Sequence, residues 1–313
     1  QWVAGTLALH FENRVPLGLS QPVPLAAVQE YIGAMERMYD WDNVIPQIQR
    51  ALEIDPEFHQ ARCHLFRYYY WLSMYGEAEA ELEVLENHLP DMKEYDRAWV
   101  HAARARLEGH PLDALRALRE AVELAPNAFY ARNVTGMYAI ATNRPREAVE
   151  VLSDIPFDWT SASTGHVQRP FANLCFAYHL LGDDEAVLRL AAESLEHFPN
   201  AMVFYGLQAN ALGVMGRFEE MNQILEECLA IRHHTRTSAG VSHHYTAREL
   251  RAHGYREQSL ELAERSVGWF RERPNDIQSF PWQYAAALNV AERWEEAREV
   301  AERMVWELSL IHI

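Results

Sequence analysis

The sequence predicts an all-α fold, a right-handed α-solenoid of about eight helical hairpins. Apolar residues recur three and four positions apart through most of the 313 residues, as in amphipathic helices. Turn residues interrupt these runs at near-constant intervals, since Pro56, Pro90 and Pro126 are 34 and 36 positions apart. No segment alternates apolar and polar residues between turns, so no sheet is expected.

The first 24 residues precede the hairpins. We expect a short amphipathic helix over residues 1–11, followed by a linker in which Pro16, Pro22 and Pro24 prevent helix formation. We therefore assign 1–24 to the end of a preceding domain and 25–308 to the array. The chain begins at Gln1 rather than Met, and residues 309–313 end an apolar tail that departs from the helical period, so both ends look cut. Two interpretations of the tail stay open: foreign sequence from cloning, or a cap on the array.

The hairpin at residues 95–126 is the clearest unit of the array. Gly109 permits a left-handed residue at the end of its first helix, and Pro126 ends its second. Ala114 and Ala121 are small enough to let two helices approach closely. Similar units are predicted along residues 25–308, with helix breaks near Asp40, Gly76, Gly109, Asn143, Gly182, Gly216, Gly254 and Arg293. The connections at 154–168 and 232–242 are long for helix-to-helix turns, and whether they bind a ligand is left open.

Charge and hydropathy exclude several classes of partner. The chain carries 45 acidic and 28 basic residues, a formal net charge of -17, whereas nucleic-acid binding needs clustered Lys and Arg. No apolar run is long enough for a membrane helix, so no membrane insertion is predicted. We expect a cytoplasmic protein, or an extracytoplasmic one if the full-length protein has an upstream membrane anchor. The three cysteines lie among helical apolar positions and are predicted to be buried thiols.

The sequence shows no pattern typical of catalysis or metal binding. Five histidines between 233 and 253 lack the HExxH spacing and a nearby cysteine, which favours solvated loop residues over metal ligands: His233, His234, His243, His244 and His253. Pairs of adjacent glutamates lie in second helices, whose outer faces are normally solvated. No GxSxG nucleophile turn occurs. We therefore predict no enzyme activity, no catalytic residue, no cofactor and no metal.

The repeats resemble the tetratricopeptide repeat (TPR) family. The resemblance rests on Leu174, Ala177, Tyr178, Gly182 and Pro199 in one unit, with further matches at Ala51, Pro56, Ala114, Ala121, Pro126, Gly136 and Ala148. Two units depart from it, because Met221 and Ser259 replace the small residue early in the second helix. The start of the chain, with QPVPLAAVQEYIGAMERM and ALEIDPEF, is similar to bacterial signalling proteins. In those proteins a TolB-like domain precedes a TPR array, downstream of a kinase, a cyclase or a winged-helix domain.

The resemblance implies that particular first-helix positions line a concave, partner-binding face. Carried over to this sequence, they are Arg67, Tyr70, Trp71, Trp99, Arg106, Asn133, Met137, Phe176, His179, Asn210, His244, Arg248 and Arg251. The family's clamp for a terminal carboxylate is not matched, since Gly206 stands where its Lys is expected beside Asn210. The alternative for the aromatic residues is that they pack between repeats, and for the arginines that they pair with neighbouring glutamates.

Two functions follow from these expectations. The first is a non-catalytic scaffold that binds an extended or helical segment of a protein partner on the concave face. The arginines on that face of an acidic protein favour a partner of acidic character. The alternative is a small-molecule-sensing module that controls an attached signalling domain. An open groove favours the first function, and an enclosed pocket of some hundreds of cubic ångströms favours the second. The sequence does not predict the partner's identity, the upstream domain or the oligomeric state.

Overall fold

The computed structural model describes residues 23–36, 41–153, 155, 168–231, 238–279 and 281–311. Within these residues all regular structure is helical, which confirms the predicted all-α class. The chain divides into two compact units, Gln1–Ala177 and Tyr178–Ile313, and each is described by itself.

In its described residues, unit 1 contains four helix pairs and most of a ninth helix. The helices are α1 (Leu25–Glu36), α2 (Trp41–Ile54), α3 (His59–Trp71), α4 (Tyr75–Asn87), α5 (Glu94–Leu107), α6 (Pro111–Leu124), α7 (Phe129–Ala141), α8 (Pro145–Ser153) and α9 (Gln168–Leu180). A short 3-10 helix (Leu89–Asp91) follows α4. Each odd-numbered helix from α1 to α7 packs against the next helix, and α3 also packs against α5. The division between the units falls within α9.

Unit 2 continues with the same arrangement of helix pairs. Its helices are α10 (Asp184–His197), α11 (Met202–Val214), α12 (Phe218–Leu229), α13 (Ala239–Ala252), α14 (Arg256–Arg271), the short α15 (Pro274–Ser279), α16 (Pro281–Val290) and α17 (Trp294–Ile311). The pairs α11–α12, α13–α14 and α16–α17 pack as hairpins, and the first helices α11, α13 and α16 are neighbours in that order. First helices that follow one another in space are the geometry expected of stacked repeats.

Left-handed residues mark most of the predicted hairpin breaks. Gly109, Gly182, Gly216 and Gly254 have φ between 73° and 87°, and Asn143 has φ of 58°. The second hairpin differs from the prediction, because Ser73 with φ of 61° makes the break and Gly76 lies in the first turn of α4. A non-glycine residue adopts this conformation at a modest energetic penalty, so glycine is favoured there but is not required. Asp40 lies outside the described residues.

The small residues that the sequence places between paired helices are buried. Ala114 and Ala148 are fully buried within their hairpins. Where the repeat pattern is broken, the side chains are accommodated differently. Ser259 is buried, and its hydroxyl donates to the Ala247 carbonyl at 2.7 Å, while Met221 packs beside Gly213. Both departures are therefore satisfied locally, one by a hydrogen bond and one by a facing glycine.

Helix α2 contains a proline, and the last helix ends later than the sequence predicts. Helix α2 begins at Trp41, so Pro46 lies inside it and removes one intrahelical hydrogen bond. Helix α17 continues to Ile311, so the apolar tail does not break the last helix before that residue. Among the described helices, none combines the length and the apolar character that crossing a membrane requires.

Candidate functional site

A cavity of about 500 Å³ lies in unit 1 between the first helices α3, α5 and α7. Its walls are mainly aromatic and aliphatic, and three arginines, Arg67, Arg97 and Arg106, line it. The lining includes Cys63, His64, Phe66, Arg67, Trp99, Ala102, Ala103, Arg106, Leu118, Tyr130, Val134 and Tyr138. Because α3 packs directly on α5, residues one helical turn apart on both helices reach the same space.

Arg67 is the most buried charged group at this cavity, with 7% of its surface exposed. Its guanidinium carbon lies 4.8 Å from the ring centres of both Trp71 and Tyr130. The Nε and Nη2 atoms have no hydrogen-bond partner among the described residues. Burial, assisted by the nearby charge of Arg106, lowers the pKa of Arg67.

Arg106 approaches the same rings from α5. Its guanidinium carbon lies 4.0 Å from the ring centre of Tyr70, 5.7 Å from that of Tyr138 and 5.9 Å from that of Trp71. Both arginines therefore lie within 6 Å of Trp71. Burial raises the pKa of Tyr138 to about 12, so its hydroxyl is protonated and available as a donor at neutral pH.

Other arginines of the same two helices are paired with carboxylates. Arg62 on α3 lies 2.5 Å from Glu81, and Arg104 on α5 lies 2.7 Å from Glu79 and 2.6 Å from Glu86. In the described part of the chain, Arg67 and Arg106 form no such ion pair. The alternative that first-helix arginines pair with glutamates thus holds for some positions and fails at the cavity.

The cost of burying the Arg67 cation, compared with the gain from its aromatic contacts, explains why an anion fits here. Removing a cation from water disfavours folding by several kcal/mol, even after relaxation. Contacts with aromatic faces each return about 0.5–2 kcal/mol, more when water is excluded. The rings around Arg67 therefore offset much of its burial but leave two N–H groups unsatisfied. A ligand oxygen would supply the missing acceptors.

The opposite end of the cavity is polar and partly acidic. Glu94 and Asp96, at the start of α5, line this end together with Arg97, which lies 3.9 Å from Glu94. Burial, reinforced by the charge of Asp96, raises the pKa of Cys63 to about 12. Cys63 is therefore a neutral thiol and a poor nucleophile, as are the other two free cysteines, whose pKa values are also raised by burial.

Sequence reasoning missed the third wall of the cavity. The carried-over positions on α7 were Asn133 and Met137, but Tyr130, Val134 and Tyr138 line the space. These three residues are four positions apart and so share one face of the helix, a spacing that was visible in the sequence. Asn133 instead accepts a hydrogen bond from Asn173 at 2.9 Å.

Met137 packs behind the residues of α7 that line the cavity. It packs with Trp99, Tyr130 and Tyr138 against a buried cluster that contains Ala102 and Val134. His64, also missed, lies 3.2 Å from the Tyr31 hydroxyl, and its ring centre is 5.0 Å from that of Tyr130. The residues of α7 that line the cavity are therefore positioned by side chains of neighbouring helices that pack against them.

In unit 2, His244 and Arg248 line a groove of about 580 Å³ with Asn289, Trp294 and Arg298. His244 is buried, and its Nδ1 atom has no hydrogen-bond partner among the described residues. Burial, assisted by the charge of Arg248, lowers the pKa of His244 to about 4, so its imidazole is neutral at pH 7. The groove thus offers two cations, of which Arg298 lies 2.5 Å from Glu295, and one neutral imidazole.

The remaining predicted site residues of unit 2 have partners within the protein. His179 lies 3.1 Å from Asp184 and 3.2 Å from Glu249. Asn210 accepts a hydrogen bond from Thr246 at 2.7 Å. Arg251 donates to the Val290 carbonyl at 3.2 Å and to Glu292 at 2.6 Å. Phe176, in unit 1, is 42% exposed on α9 and does not line the cavity.

No metal centre is formed within the described residues, where no group of three His, Cys, Asp or Glu side chains is placed to hold an ion. His243 is buried, and its Nδ1 donates to the Ala239 carbonyl at 2.7 Å. His253 lies 3.4 Å from Glu249. His233 and His234 lie outside the described residues. The expectation of solvated loop histidines is therefore wrong for His243 and His244, which are buried within helix α13, while His253 lies at its end.

Comparison with known proteins gives the fold and no closer relationship. No protein-family model and no curated protein matches the sequence. The structure is similar to the Cut9–Hcn1 hetero-tetramer of the APC/C, with a TM-score of 0.54 and 12% identity over 89% of this chain and 55% of that chain. It is also similar to a tetratricopeptide repeat protein from Parabacteroides merdae, with a TM-score of 0.47 and 13% identity over 83% and 99% of the two chains. At such identities the likeness concerns the fold alone, an α-solenoid of TPR-like hairpins.

Proposed function

We propose that this chain is a non-catalytic scaffold that binds a segment of a protein partner through its first helices. The observation that carries the proposal is the pair Arg67 and Arg106, which face a common cavity among aromatic rings without a carboxylate partner in the described part of the chain. Neighbouring arginines on the same helices are neutralised by glutamates. Unpaired arginines beside large aromatic residues are typical of interaction hot spots.

The chemistry favours an acidic side chain or terminus on the partner segment. A guanidinium donates two parallel hydrogen bonds to a carboxylate, and Trp71 and Tyr70 provide apolar contact next to it. In unit 2, Arg248 and His244 provide a separate polar position on a first helix. Each unit, taken by itself, fits an extended or helical segment that carries an acidic residue.

The wider context belongs to the same proposal. We place the chain in a bacterial signalling or regulatory protein, as its partner-binding region, because of the resemblance at residues 21–58. A cytoplasmic location agrees with three cysteines that are free thiols. None of the three cysteines is an activated nucleophile, because burial raises the pKa of each thiol.

A second function is favoured by one specific observation, the volume of the unit 1 cavity. Ligand pockets of roughly 300–1,000 Å³ bury most of a small organic molecule. The unit 1 cavity, at about 500 Å³, falls in that range and has mostly apolar walls with few polar groups. In this second function the array senses a small molecule and controls an attached signalling domain.

The scaffold function is tested with a library of short labelled peptides in which an Asp or Glu follows an aromatic or aliphatic residue. We expect binding by fluorescence anisotropy, and at least a roughly tenfold loss in the Arg67→Met, Arg106→Met double variant. Arg104→Met, which removes an arginine that faces away from the cavity, is the matched control. Equal binding of the Asn and Gln versions of the same peptides would contradict acidic recognition.

A further inference from the structure

Arg67 and Arg106, two of the three arginines that line the unit 1 cavity, approach the same tryptophan ring. Trp71 is within 4.8 Å of the Arg67 guanidinium and within 5.9 Å of the Arg106 guanidinium, so both cations flank the same ring. Arg67 is nine-tenths buried and retains two unpartnered N–H groups. A single carboxylate, whose two oxygens match the guanidinium fork, is the smallest group that satisfies these donors.

The rest of the cavity is built for an apolar body. Trp99 stacks on Tyr130 with ring centres 5.3 Å apart and planes 20° apart, which forms a flat wall. Leu118, Val134 and Ala103 complete it. A polypeptide segment placed wholly inside would bury backbone N–H and C=O groups against these walls without partners, which is unfavourable. A free molecule with an apolar body has no such groups to satisfy.

The end of the cavity away from Arg106 carries balanced charge. Glu94 and Asp96 line the start of α5, about ten residues before Arg106 on the same helix, and Lys93 and Arg97 line the same end. At a helical rise of about 1.5 Å per residue, this end is separated from Arg106 by roughly 15 Å. Its two acids and two bases cancel in formal charge, whereas Arg67 and Arg106 form no ion pair with a carboxylate in the described part of the chain. The charge pattern therefore favours one anionic group at the Arg67 and Arg106 end.

We propose that the unit 1 cavity binds a small organic acid, with its single carboxylate between Arg67 and Arg106 and its apolar body against Trp99, Tyr130 and Val134. This inference rests on the second function proposed above and adds the chemical class of the ligand. Within that function, the bound carboxylate supplies the acceptors that the buried Arg67 lacks and an ionic partner for the half-buried Arg106.

The test compares 1-naphthaleneacetic acid with its primary amide, 1-naphthaleneacetamide, which have the same apolar body and differ in charge. Binding to the full chain is measured by isothermal titration calorimetry and by the quenching of tryptophan fluorescence. We expect the acid to bind and the amide to bind at least about tenfold more weakly. The Arg106→Met variant should lose a similar factor for the acid only, whereas Arg104→Met should bind as the parent does.

A second variant keeps the test decisive if Arg67→Met or Arg106→Met does not fold. Ala103→Trp fills the cavity without changing its charge, and it should abolish binding of the acid. Unchanged binding in both Ala103→Trp and Arg106→Met would place the acid elsewhere and overturn the inference.

The outcomes also separate this inference from the proposed functions. Equal affinity for acid and amide would overturn carboxylate recognition while the cavity remained a small-molecule site. Binding of neither at about 1 mM would overturn both the inference and the sensing function. The scaffold function is tested separately with the acidic peptides, because their binding is measured without either compound.

Discussion

Two adjacent histidines of α13, His243 and His244, are buried in their neutral form. Burial lowers the pKa of each to about 4, against an ordinary value of 6.5. Protonation is therefore easier in the unfolded chain, so these residues stabilise the fold above pH 6.5, and the stabilisation is lost as the pH falls from 6.5 towards 4. The magnitude is roughly 3 kcal/mol for each histidine.

We expect acid to destabilise unit 2 through these histidines before most carboxylates titrate. The measurement is the urea midpoint of the parent and of His244→Phe between pH 7.5 and 5. The variant should lose less stability over that range, because one titrating group has been removed. Parallel pH profiles for the two proteins would mean that His244 is hydrated enough to accept a proton in the folded state.

The contribution of His179 to stability is predicted to change with pH in the direction opposite to that of His243 and His244. Its hydrogen bond to Glu249 is the main cause of a raised pKa, and Asp184 contributes further. A raised pKa means that the charged imidazole is stabilised in the folded state. The contribution is complete below about pH 6.5 and is lost as the pH rises through the folded pKa.

The expected result is that His179→Gln lowers stability at pH 6 and has little effect at pH 9. Thermal unfolding at the two pH values measures the difference. Glu249→Gln is the matched substitution in the partner residue, and the stability of this variant should depend on pH in the same way. It removes the carboxylate that contributes most to the raised pKa of His179. A stability loss of equal size at both pH values would show that His179 acts by packing alone.

At the residue scale, the sequence could place arginines on first helices but could not tell which of them are paired. Arg104 and Arg106 are two positions apart on α5, yet one binds two glutamates of α4 and the other faces aromatic rings. Two positions on a helix differ by about 200° in direction, so their surroundings depend on which helices pack on each side. Which helices pack on each side of α5 is determined by the tertiary structure and cannot be predicted from the local sequence.

A glycine inside a helix is needed for packing only where a side chain of another helix lies against it. Gly136 lies inside α7, and a Cβ atom added there would come within 2.6 Å of the Leu152 side chain on α8. Gly268 lies inside α14 with no atom within 4 Å of an added Cβ. Both positions are helical, so helix propensity alone would favour alanine at each by about 1 kcal/mol.

We therefore predict that Gly136→Ala destabilises the protein by about 1–3 kcal/mol, whereas Gly268→Ala stabilises it by about 0.5–1 kcal/mol. Urea denaturation of the two variants beside the parent measures both effects. Stabilisation by Gly136→Ala would show that Leu152 can shift and that the α7–α8 contact is loose.

The buried alanines of second helices make a related prediction. Ala114→Leu and Ala148→Leu should each reduce the free energy of unfolding by about 1–3 kcal/mol, because both positions are fully buried between paired helices. Ala80→Leu on α4 is the control, since Ala80 is exposed and the same side chain is added. Unchanged denaturation midpoints for both buried variants would mean that the hairpins tolerate wider spacing.

At the element scale, the sequence predicted the helix pairs well because repeat length and turn residues are local signals. It placed one break wrongly, at Gly76 instead of Ser73. Glycine is the residue that most readily adopts a positive φ, so the sequence pointed to Gly76, whereas Ser73 adopts this conformation in the structure. The cavity was not predicted, because it requires the faces of α3, α5 and α7 at once.

At the scale of the whole molecule, the net charge of -17 opposes any anionic ligand. The attraction at Arg67 and Arg106 is local and largely removed from solvent, so salt screens it weakly, whereas the long-range repulsion is screened strongly. The Debye length falls from about 30 Å at 0.01 M salt to about 10 Å at 0.1 M. Salt should therefore help an anion to approach without much weakening its bound contacts.

The last prediction concerns the association rate of 1-naphthaleneacetate with the full chain. We expect this rate to rise on the order of threefold between about 0.01 and 0.1 M salt, with little change in the dissociation rate. Stopped-flow quenching of tryptophan fluorescence measures both rates, and 1-naphthaleneacetamide is the neutral control whose association rate should not change. An association rate that falls with salt would show that the arginines dominate the field along the approach to the cavity. In that case the acidic exterior would not govern which ligands reach the site.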